Sequence, residues 1–415
     1  MNPERLVAGL DIGSAKTTAV IAEMEGDLPK HPSIKVLGVG QARTTGMRRG
    51  VVSDIEETTR SIKKALQDAE RMAGAEVQEL YAGIAGEHVQ AMTSKGIVAV
   101  AGDEIAKGDV DRANEVARAQ AIPQDRELLH AIPQEYTVDK NTGIRDPIGM
   151  SGMRLETEMY LVTIGSSPAI NLRKSVERAG YKVRELVLEP LASALAVLTE
   201  DEKELGVALV EMGAGTTDLA IFYEGKIRHL GTLAFGGNNV TNDIVHGLGV
   251  TQADAERLKE RYGCAYEPLV DPADVIQLPS TVAQGDRQIP RELLAHIIHQ
   301  RMDEIFGMVQ RDVSSAGFAG KLSAGMVLSG GAAAMQGSAE LASDVFGTGV
   351  RVGIPTEHVA GLSDTVEAPR FATVVGLAQY GASRLALGGI PSARRLALGE
   401  GGLAQKVKFW LQDFF

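Results

Sequence analysis

Residues 210–219 read VEMGAGTTDL, and residues 10–19 read LDIGSAKTTA, which is the same chemical pattern placed 200 residues earlier. In both copies an apolar run ends in a carboxylate, Glu211 or Asp11, and a short turn of small residues leads into a second apolar run. Alternating apolar runs on either side of a glycine turn predict a β-hairpin. The repetition indicates two related halves that each carry one such hairpin.

The predicted hairpin tips have the composition of a phosphate-binding loop. Small side chains allow backbone N–H groups to converge on a ligand, and threonine hydroxyls and a lysine add further donors. The carboxylate before each tip suits the Mg²⁺ that accompanies a polyphosphate. The candidate phosphate-binding residues are Gly13, Ser14, Ala15, Lys16 and Thr17 in the first half and Gly213, Ala214, Gly215, Thr216 and Thr217 in the second. Either loop alone is compatible with an ordinary glycine-rich hairpin, but two in register indicate a clamp around one nucleotide.

A P-loop is a poorer explanation of the first tip. That motif requires a glycine directly before its lysine and a helix after it. Here Ala15 precedes Lys16, and the alternation that follows is typical of a strand.

The composition favours a globular protein of two or more domains. Of the 415 residues, 44% are hydrophobic, which is enough for a substantial core. A net charge of −12 argues against nucleic-acid binding, which usually requires a basic surface. The single cysteine, Cys264, excludes an internal disulfide and is more typical of a packing residue than of a nucleophile. We expect neither a signal peptide before Asp11 nor a membrane-spanning segment, because the apolar runs are too short.

Further motifs continue the pattern along the chain. Glu189 and Pro190 open an apolar helix of small residues, FGGNN at 235–239 leads into another helix, and a Gly-Gly turn at 330–331 follows a predicted strand. A second apolar helix with small residues is predicted at 372–378. With the two hairpins, these motifs resemble the actin, sugar-kinase and heat-shock-chaperone ATPase superfamily, and the whole chain resembles the FtsA family of bacterial cell-division proteins.

The resemblance implies an α/β, actin-like (ribonuclease H-like) two-domain ATPase fold with an inserted α+β subdomain and a C-terminal amphipathic helix. The implied boundaries are domain I at 1–85 and 166–205, the inserted subdomain at 86–165, domain II at 206–385 with a small subdomain at about 245–320, a flexible linker at 386–402 and the amphipathic helix at 403–415.

The resemblance also implies an ATP site with Mg²⁺. Asp11 and Glu211 would organise Mg²⁺ through water, and Glu189 and Glu211 would be the catalytic acids, with Glu189 near the attacking water. The residues implied for the nucleoside are Gly237, Asn238, Glu256, Lys259, Gly330, Gly331 and Met335. From spacing alone, Glu256 and Lys259 are an ordinary helix-surface pair. The alternative for Glu189 is a solvent-facing acid that the helix dipole favours at a helix start. Relatives usually have Asp at the position of Glu211, so hydrolysis is expected to be slow at most, and simple binding stays open.

The C-terminal residues have the pattern of an interfacial helix. Apolar and aromatic side chains share one face of residues 403–415, and lysines lie beside it. Such a helix is about 20 Å long, too short to span a hydrocarbon core of about 30 Å, but it suits an anionic membrane surface. The predicted membrane contacts are Leu403, Lys406, Val407, Lys408, Trp410, Leu411, Phe414 and Phe415. Docking of this helix on its own domain is the alternative.

The resemblance implies a cell-division function. A member of this family would anchor FtsZ filaments to the cytoplasmic face of the inner membrane at the division septum, polymerise, and recruit later divisome proteins. Arg291 and Arg301, on a predicted long helix, are candidates for contact with the acidic, apolar C-terminal tail of FtsZ. Two alternatives stay open. One is a small-molecule kinase of the same superfamily, for which no second substrate pocket is evident, and the other is the FtsA-like scaffold of type IV pili, which lacks an aromatic membrane helix.

Overall fold

The computed structural model describes residues 3–26, 33–278 and 287–387. Its strands are β1 (Leu6–Ile12), β2 (Lys16–Glu25), β3 (Ser33–Arg43), β4 (Met47–Arg48), β5 (Val51–Val52), β6 (Glu79–Ile84), β7 (Gln90–Ala99), β8 (Arg126–Val138), β9 (Asn141–Ile144), β10 (Arg154–Gly165), β11 (Lys182–Leu188), β12 (Val207–Met212), β13 (Thr217–Tyr223), β14 (Lys226–Leu233), β15 (Val275–Leu278), β16 (Arg287–Pro290), β17 (Met326–Ser329), β18 (Val350–Val352) and β19 (Val359–Gly361). Its α-helices are α1 (Ile55–Ala73), α2 (Lys107–Arg118), α3 (Ser166–Arg178), α4 (Glu189–Val197), α5 (Glu200–Leu205), α6 (Gly237–Leu248), α7 (Gln252–Tyr262), α8 (Arg291–Ser315), α9 (Ser338–Phe346), α10 (Ser363–Val366) and α11 (Ala372–Ala386).

Two sheets of matching topology form the two halves. The first has the order β11-β6-β1-β2-β3-β19, and the second has the order β14-β13-β12-β17-β18. In each, a central antiparallel hairpin (β1–β2 or β12–β13) has an antiparallel strand on one side (β3 or β14) and a parallel pair on the other (β6 with β11, or β17 with β18). The prediction of two related halves is confirmed, and each predicted hairpin lies at the same place in its sheet.

A separate antiparallel sheet, β7-β10-β8-β9, carries helix α2 and interrupts the first half between β6 and α3. Glycine allows the helix to lie directly on this sheet, because a Cβ atom on Gly96 would lie 1.9 Å from the carbonyl oxygen of Ala113. The inserted sheet also reaches the second half. Tyr160 belongs to the same apolar cluster as Ile227 of β14, and Arg145 Nη2 lies 2.5 Å from Glu204 Oε1 in α5, directly before the second half.

Helices α4 and α11 cross between the two sheets. A Cβ atom on Gly376 of α11 would lie 1.8 Å from the carbonyl oxygen of Ala192 in α4, so only glycine permits this approach. Both helices are buried almost throughout. The small residues of the two helices therefore allow a close crossing.

Two local features differ from what the sequence predicts, which is a helix directly after the Gly-Gly turn and little regular structure after Cys264. The Gly-Gly turn after β17 leads first into a 3₁₀ turn at Ala332–Ala334, and helix α9 begins only at Ser338. The region after Cys264, which shows little periodicity, contributes β15, and this strand pairs with β16. Short strands such as these have too few residues for a period to be read.

No helix in the described ranges is both long enough and apolar enough to cross a membrane. The predicted linker at 386–402 begins at the end of α11, and the predicted amphipathic helix at 403–415 lies outside the described residues.

Candidate nucleotide site

The tips of the two predicted phosphate hairpins face each other across the cleft between the halves. In each tip the first glycine donates its N–H to the carbonyl three residues on, over 3.1 Å in the first hairpin and 2.9 Å in the second. A Cβ atom on Gly215 would lie 2.7 Å from Ser14 Oγ, so the tips touch. The tip glycines do not have the positive φ that favours glycine. Their small size, and not an unusual backbone, is what the site requires.

Four carboxyl groups converge beneath the tips. Burial raises the pKa of Asp11 to about 7, and the neighbouring Glu211 adds to the rise. Burial raises the pKa of Glu189 well above its ordinary value, and Asp11, Glu211 and Asp218 raise it further. Burial also raises the pKa of Glu211 to about 7 and that of Asp218 to about 6. Upward shifts are expected where acids share a desolvated space without a cation between them.

This group of acids fits a magnesium nucleotide. A divalent cation stabilises carboxylates in their charged form, which reverses the upward shifts. Within the described ranges, no cluster of three or more His, Cys, Asp or Glu side chains is arranged to hold a metal ion unaided. Phosphate oxygens or waters would therefore complete the coordination, as Mg²⁺ commonly requires. The assignment of Mg²⁺ to Asp11 and Glu211 stays a prediction.

The Glu211 side chain is engaged by the two crossing helices. Its Oε2 accepts a hydrogen bond of 2.8 Å from Ser193 Oγ of α4, and its Oε1 accepts one from Thr373 Oγ1 of α11. All three side chains are buried. Both carboxylate oxygens thus already have donors, which distinguishes Glu211 from a carboxylate that faces only the cleft.

Asp218 is a functional candidate that the sequence analysis did not single out. It lies opposite Glu211 in the β12–β13 pairing and accepts hydrogen bonds from Thr216 Oγ1 (3.0 Å) and Thr232 Oγ1 (2.6 Å). A signal was available, because Asp218 is a charge inside an otherwise apolar strand. Ser193 and Thr373 gave a weaker signal, since small hydroxyl residues in apolar helices usually serve packing.

The residues predicted to hold the nucleoside lie beside the second tip. The N–H of Gly237 donates to the Gly213 carbonyl over 3.0 Å, and the N–H of Asn238 donates to the Ala214 carbonyl over 2.8 Å. The turn that begins α6 is therefore fixed to the phosphate hairpin. Lys259, on α7, extends this connection because its Nζ donates to the Gly237 carbonyl over 3.1 Å.

Lys259 and Glu256 form a network rather than an ordinary surface pair. Lys259 Nζ lies 2.8 Å from both Glu256 Oε2 and Thr241 Oγ1, and the Thr241 hydroxyl also donates to Glu256. The lysine side chain is only 11% exposed. The network positions α7 against the glycine turn, where a ribose would be contacted.

The Gly-Gly turn lies on the opposite side of the same tip. Gly330 has φ 83°, and a Cβ atom there would lie 2.4 Å from the Met212 carbonyl oxygen, so no other residue fits. A Cβ atom on Gly331 would meet nothing within 4 Å. That open face suits a flat base, and Met335 is partly buried close behind it in sequence. The nucleoside assignments stay predictions.

Lys16 is the basic residue of the first tip. Its Nζ lies 3.8 Å from Glu260 Oε1 on α7, and both side chains are more than half exposed. An exposed pair at this distance contributes little to stability, so Lys16 is free to exchange Glu260 for a phosphate.

Arg291 and Arg301 lie on α8, but both already have partners. Arg301 donates to Asp243 of α6 over 2.6 Å and also contacts Glu304, so it faces α6 rather than solvent. Arg291 donates to Asp274 over 3.1 Å and to Gln336 over 2.8 Å. Contact of either residue with FtsZ stays a prediction, and both side chains are largely buried, 20% exposed for Arg291 and 23% for Arg301. The predicted membrane residues at 403–415 lie outside the described residues.

Comparison with solved structures identifies the fold. The PilM–PilN type IV pilus biogenesis complex matches with a TM-score of 0.63 at 18% identity, covering 91% of this chain and 98% of that chain. MreB5 of Spiroplasma citri bound to ADP matches with a TM-score of 0.54 at 15% identity, covering 90% and 95%. At these identities the likeness concerns the fold alone, and it confirms the predicted actin-like architecture.

Comparison with protein families and curated relatives is more specific. The family model for cell division protein FtsA matches residues 208–376, and the model for the SHS2 domain inserted in FtsA matches residues 86–163. The cell division protein FtsA of Pseudomonas aeruginosa is 42% identical over 377 residues, which cover 91% of this chain and 89% of the relative. That of Neisseria meningitidis is 40% identical over 417 residues, which cover 99% of both. The chain therefore belongs to the FtsA family of cell-division proteins.

Proposed function

We propose that this chain is an actin-like ATP-binding protein that anchors FtsZ filaments to the cytoplasmic face of the inner membrane, assembles into filaments and recruits later divisome proteins. The observation that carries the nucleotide part is the contact between the two hairpin tips above four carboxyl groups. Family membership supports the role in division.

The chain's own residues would clamp the nucleotide in three places. Backbone N–H groups of both tips, with Lys16, would bind the phosphates, because convergent N–H donors and an ammonium suit anionic oxygens. The Lys259 network would position the ribose, and the open face at Gly331 would accept the base. Bound Mg²⁺ supplies charge neutralisation between the phosphates and the acids.

Hydrolysis, if it occurs, is expected to be slow. Glu189 lies at the first turn of α4 and would orient an attacking water when a bound cation keeps its carboxylate charged. Glu211 stands where relatives usually have Asp, and its extra methylene displaces the carboxylate from the position that an aspartate would take. The protein is therefore better suited to holding ATP than to turning it over rapidly.

The surface around Arg291 is the best candidate for the FtsZ tail. Three exposed apolar side chains belong to the segments around it in the chain: Leu269 (43% exposed) in the 3₁₀ turn before β15, Val275 (60%) in β15 and Leu293 (42%) in the first turn of α8. Val275 pairs with Pro290, the residue directly before Arg291. An apolar patch beside a guanidinium suits a peptide that is both apolar and acidic.

A binding experiment tests this assignment against the pilus alternative. A peptide with the FtsZ C-terminal sequence should bind the purified protein, and Arg291→Glu should weaken binding by about tenfold, as expected for loss of a charged hydrogen bond. Arg311→Glu, an exposed change at the other end of α8, is the control and should bind as wild type. Binding of a pilus inner-membrane protein without binding of the FtsZ peptide would overturn the proposal.

Membrane attachment rests on the sequence of residues 403–415. Burial of Trp410, Leu411 and Phe414 should contribute several kcal/mol at roughly 25 cal/mol per Å² of apolar area, and Lys406 and Lys408 about 1 kcal/mol each near anionic lipid. Trp410→Glu should therefore abolish flotation with anionic liposomes while ATP affinity is unchanged. Flotation of the variant at the wild-type level, or unfolding on deletion of 403–415, would show that this segment docks on the protein instead.

A further inference from the structure

The hydroxyl groups around Glu211 form a three-way junction. Glu211 lies near the end of β12, Ser193 on α4 and Thr373 on α11. Ser193 Oγ donates to Glu211 over 2.8 Å, Thr373 Oγ1 donates to the other oxygen, and the two hydroxyl oxygens are 3.0 Å apart. A single side chain thus joins the second phosphate hairpin to both helices of the interdomain crossing.

The three groups can make two alternative arrangements. Each hydroxyl has one proton, so with both protons directed to Glu211 the hydroxyl–hydroxyl approach of 3.0 Å is not a third hydrogen bond. If the carboxylate turns away, the same two hydroxyls can bond to each other. The helix crossing keeps a polar link in both arrangements, but the hairpin is tied to the crossing in only one.

The length of the side chain is what permits the tie. The corresponding residue of the first hairpin is Asp11, and among the described residues it makes no hydrogen bond to a hydroxyl of α4 or α11. The acids near Glu211 are Asp11, Glu189 and Asp218, so a cation in the cleft would attract its carboxylate away from the neutral hydroxyls. The extra methylene relative to aspartate thus provides both reach and an alternative position.

We propose that Glu211 is a positioning residue that ties the second phosphate hairpin to the α4–α11 crossing and releases it when a magnesium nucleotide occupies the cleft. The inference rests on the proposed nucleotide function and assigns a specific side chain to the coupling between the cleft and the hinge. The coupling needs no movement of the helices relative to each other, only an exchange of hydrogen-bond partners.

Two substitutions of Glu211 separate the tie from its release. Glu211→Asp shortens the side chain, so its carboxylate should not reach the hydroxyls of Ser193 and Thr373 with or without a magnesium nucleotide. Glu211→Gln keeps the length and can bond both hydroxyls, with its oxygen as acceptor and its NH₂ as donor, but it lacks the charge that a cation attracts. The aspartate variant should therefore be permanently released, and the glutamine variant permanently tied.

Amide hydrogen exchange in strand β12, which carries Glu211, measures the tie, because the hairpin is released while α4 and α11 keep their own link. With a non-hydrolysable ATP analogue present throughout, Mg²⁺ should accelerate wild-type exchange by about fivefold or more, the effect of losing a net hydrogen bond. Glu211→Asp should exchange fast with and without Mg²⁺, and Glu211→Gln should exchange slowly in both. If Glu211 has only a structural role, a variant whose amides are as protected as those of wild type should also keep the acceleration of exchange by Mg²⁺.

Ser193→Ala and Thr373→Val test the hydroxyl partners, and Ser383→Ala is the matched control. Ser383 is also a buried hydroxyl on α11, but it bonds the carbonyl of Gln379 within its own helix. The partner variants should resemble Glu211→Asp, and the control should resemble wild type. The proposal is overturned if Glu211→Asp exchanges like wild type without Mg²⁺, or if Glu211→Gln keeps the Mg²⁺ response. Calorimetry that detects no ATP binding to wild type would instead refute the proposed function, while the order of exchange rates without nucleotide would still test the tie.

Discussion

At the scale of single residues, His130 shows how burial determines a protonation state near the site. Its Nε2 accepts a 3.0 Å hydrogen bond from the N–H of Leu188, the residue before Glu189, so the imidazole must be neutral on that nitrogen. Burial, together with the charge of Arg384, lowers its pKa from 6.5 to about 3. A histidine of the inserted sheet thus supports the start of helix α4.

This lowered pKa predicts a defined pH dependence of stability. Below pH 6.5 the unfolded chain binds a proton at His130 that the folded protein does not, so stability is present above pH 6.5 and is lost as the pH falls toward 3. The slope is about 1.4 kcal/mol per pH unit. His130→Gln keeps an acceptor but cannot titrate, so the stability difference between wild type and variant should shrink by about 2 kcal/mol from pH 8 to pH 5.

Urea denaturation at several pH values checks this difference. The cleft carboxyls have raised pKa values and therefore titrate with the opposite sign, losing stability as the pH rises from about 4 to about 7. Their contribution to the pH dependence of stability cancels when wild type and His130→Gln are compared at the same pH. A difference that does not change with pH would show that His130 is not held neutral.

Gly215 lies where the two tips contact each other, so the clamp is sensitive to the size of this residue. A Cβ atom there would lie 2.7 Å from Ser14 Oγ and 3.1 Å from Ser14 Cβ. Gly215→Ala should therefore wedge the tips apart and weaken ATP binding by about tenfold, since overpacking typically costs about 1–3 kcal/mol. Calorimetry should show partial recovery in the double variant Gly215→Ala with Ser14→Gly. Unchanged affinity in the single variant would mean that the tips separate when ATP binds.

The two hairpins were evident in the sequence at this scale, because both place an acid, a glycine and a threonine at matching positions. The hydroxyls of Ser193 and Thr373 were not evident. A serine within a run of alanine and leucine has no local feature that reveals a buried carboxylate on a strand of another element. That contact depends on the crossing of two helices far apart in the sequence.

At the scale of elements, the α4–α11 crossing provides a sharp test of packing. Gly376→Ala places a Cβ atom 1.8 Å from the Ala192 carbonyl oxygen, a backbone group that cannot move aside without moving α4. We expect a loss of at least 1–3 kcal/mol of the free energy of unfolding. The matched control is Gly307→Ala in α8, where the nearest atom is the tip of Arg311 at 3.6 Å.

The control, Gly307→Ala, should raise the free energy of unfolding rather than lower it. Alanine favours a helix over glycine by roughly 0.5–1 kcal/mol, and Gly307 has room for the methyl group. Chemical denaturation of both variants gives the comparison directly. Similar stability changes in the two glycine variants would indicate that the helix crossing is looser than the structure shows.

Long elements were predictable because their apolar residues repeat with a clear period. The buried face of α8 and both central hairpins follow that period. β18 and β19 have three residues each and pair in parallel with β17 and β3. Such pairings are determined by the position of the surrounding fold and not by local sequence, so no pattern in the chain indicates them.

At the scale of the whole molecule, the inserted sheet is more than an appendage of the first half. Its Tyr160 shares an apolar cluster with Ile227 of the second half, and its Arg145 pairs with Glu204 of α5, directly before that half begins. The sequence predicted a separate α+β unit here but contained no sign of these contacts, because they join segments that lie side by side only after both halves have folded. A movement of the two halves relative to each other should therefore change the contacts of the inserted sheet.

The actin-like halves predict head-to-tail assembly, in which each copy uses two different surfaces and the contact does not close. A net charge of −12 opposes such contacts in solution, and raising the salt concentration from 0.1 to 1 M shortens the screening length from about 10 Å to about 3 Å. Assembly in solution should therefore increase with salt. On anionic liposomes the lysines of the C-terminal segment should make attachment weaken with salt, so lipid-bound filaments should have the reverse dependence.

Electron microscopy with ATP and Mg²⁺ can separate these two effects. Full-length protein on liposomes at low salt should form filaments at concentrations where a variant that lacks residues 403–415 does not, because confinement raises the local concentration. At high salt the truncated variant should gain filaments in solution, while the full-length protein keeps part of its lipid binding through the aromatic residues, which salt does not screen. Closed dimers under all conditions would contradict an open, heterologous contact. If the truncated variant forms filaments that disappear at high salt, attraction between charges rather than apolar contact drives assembly.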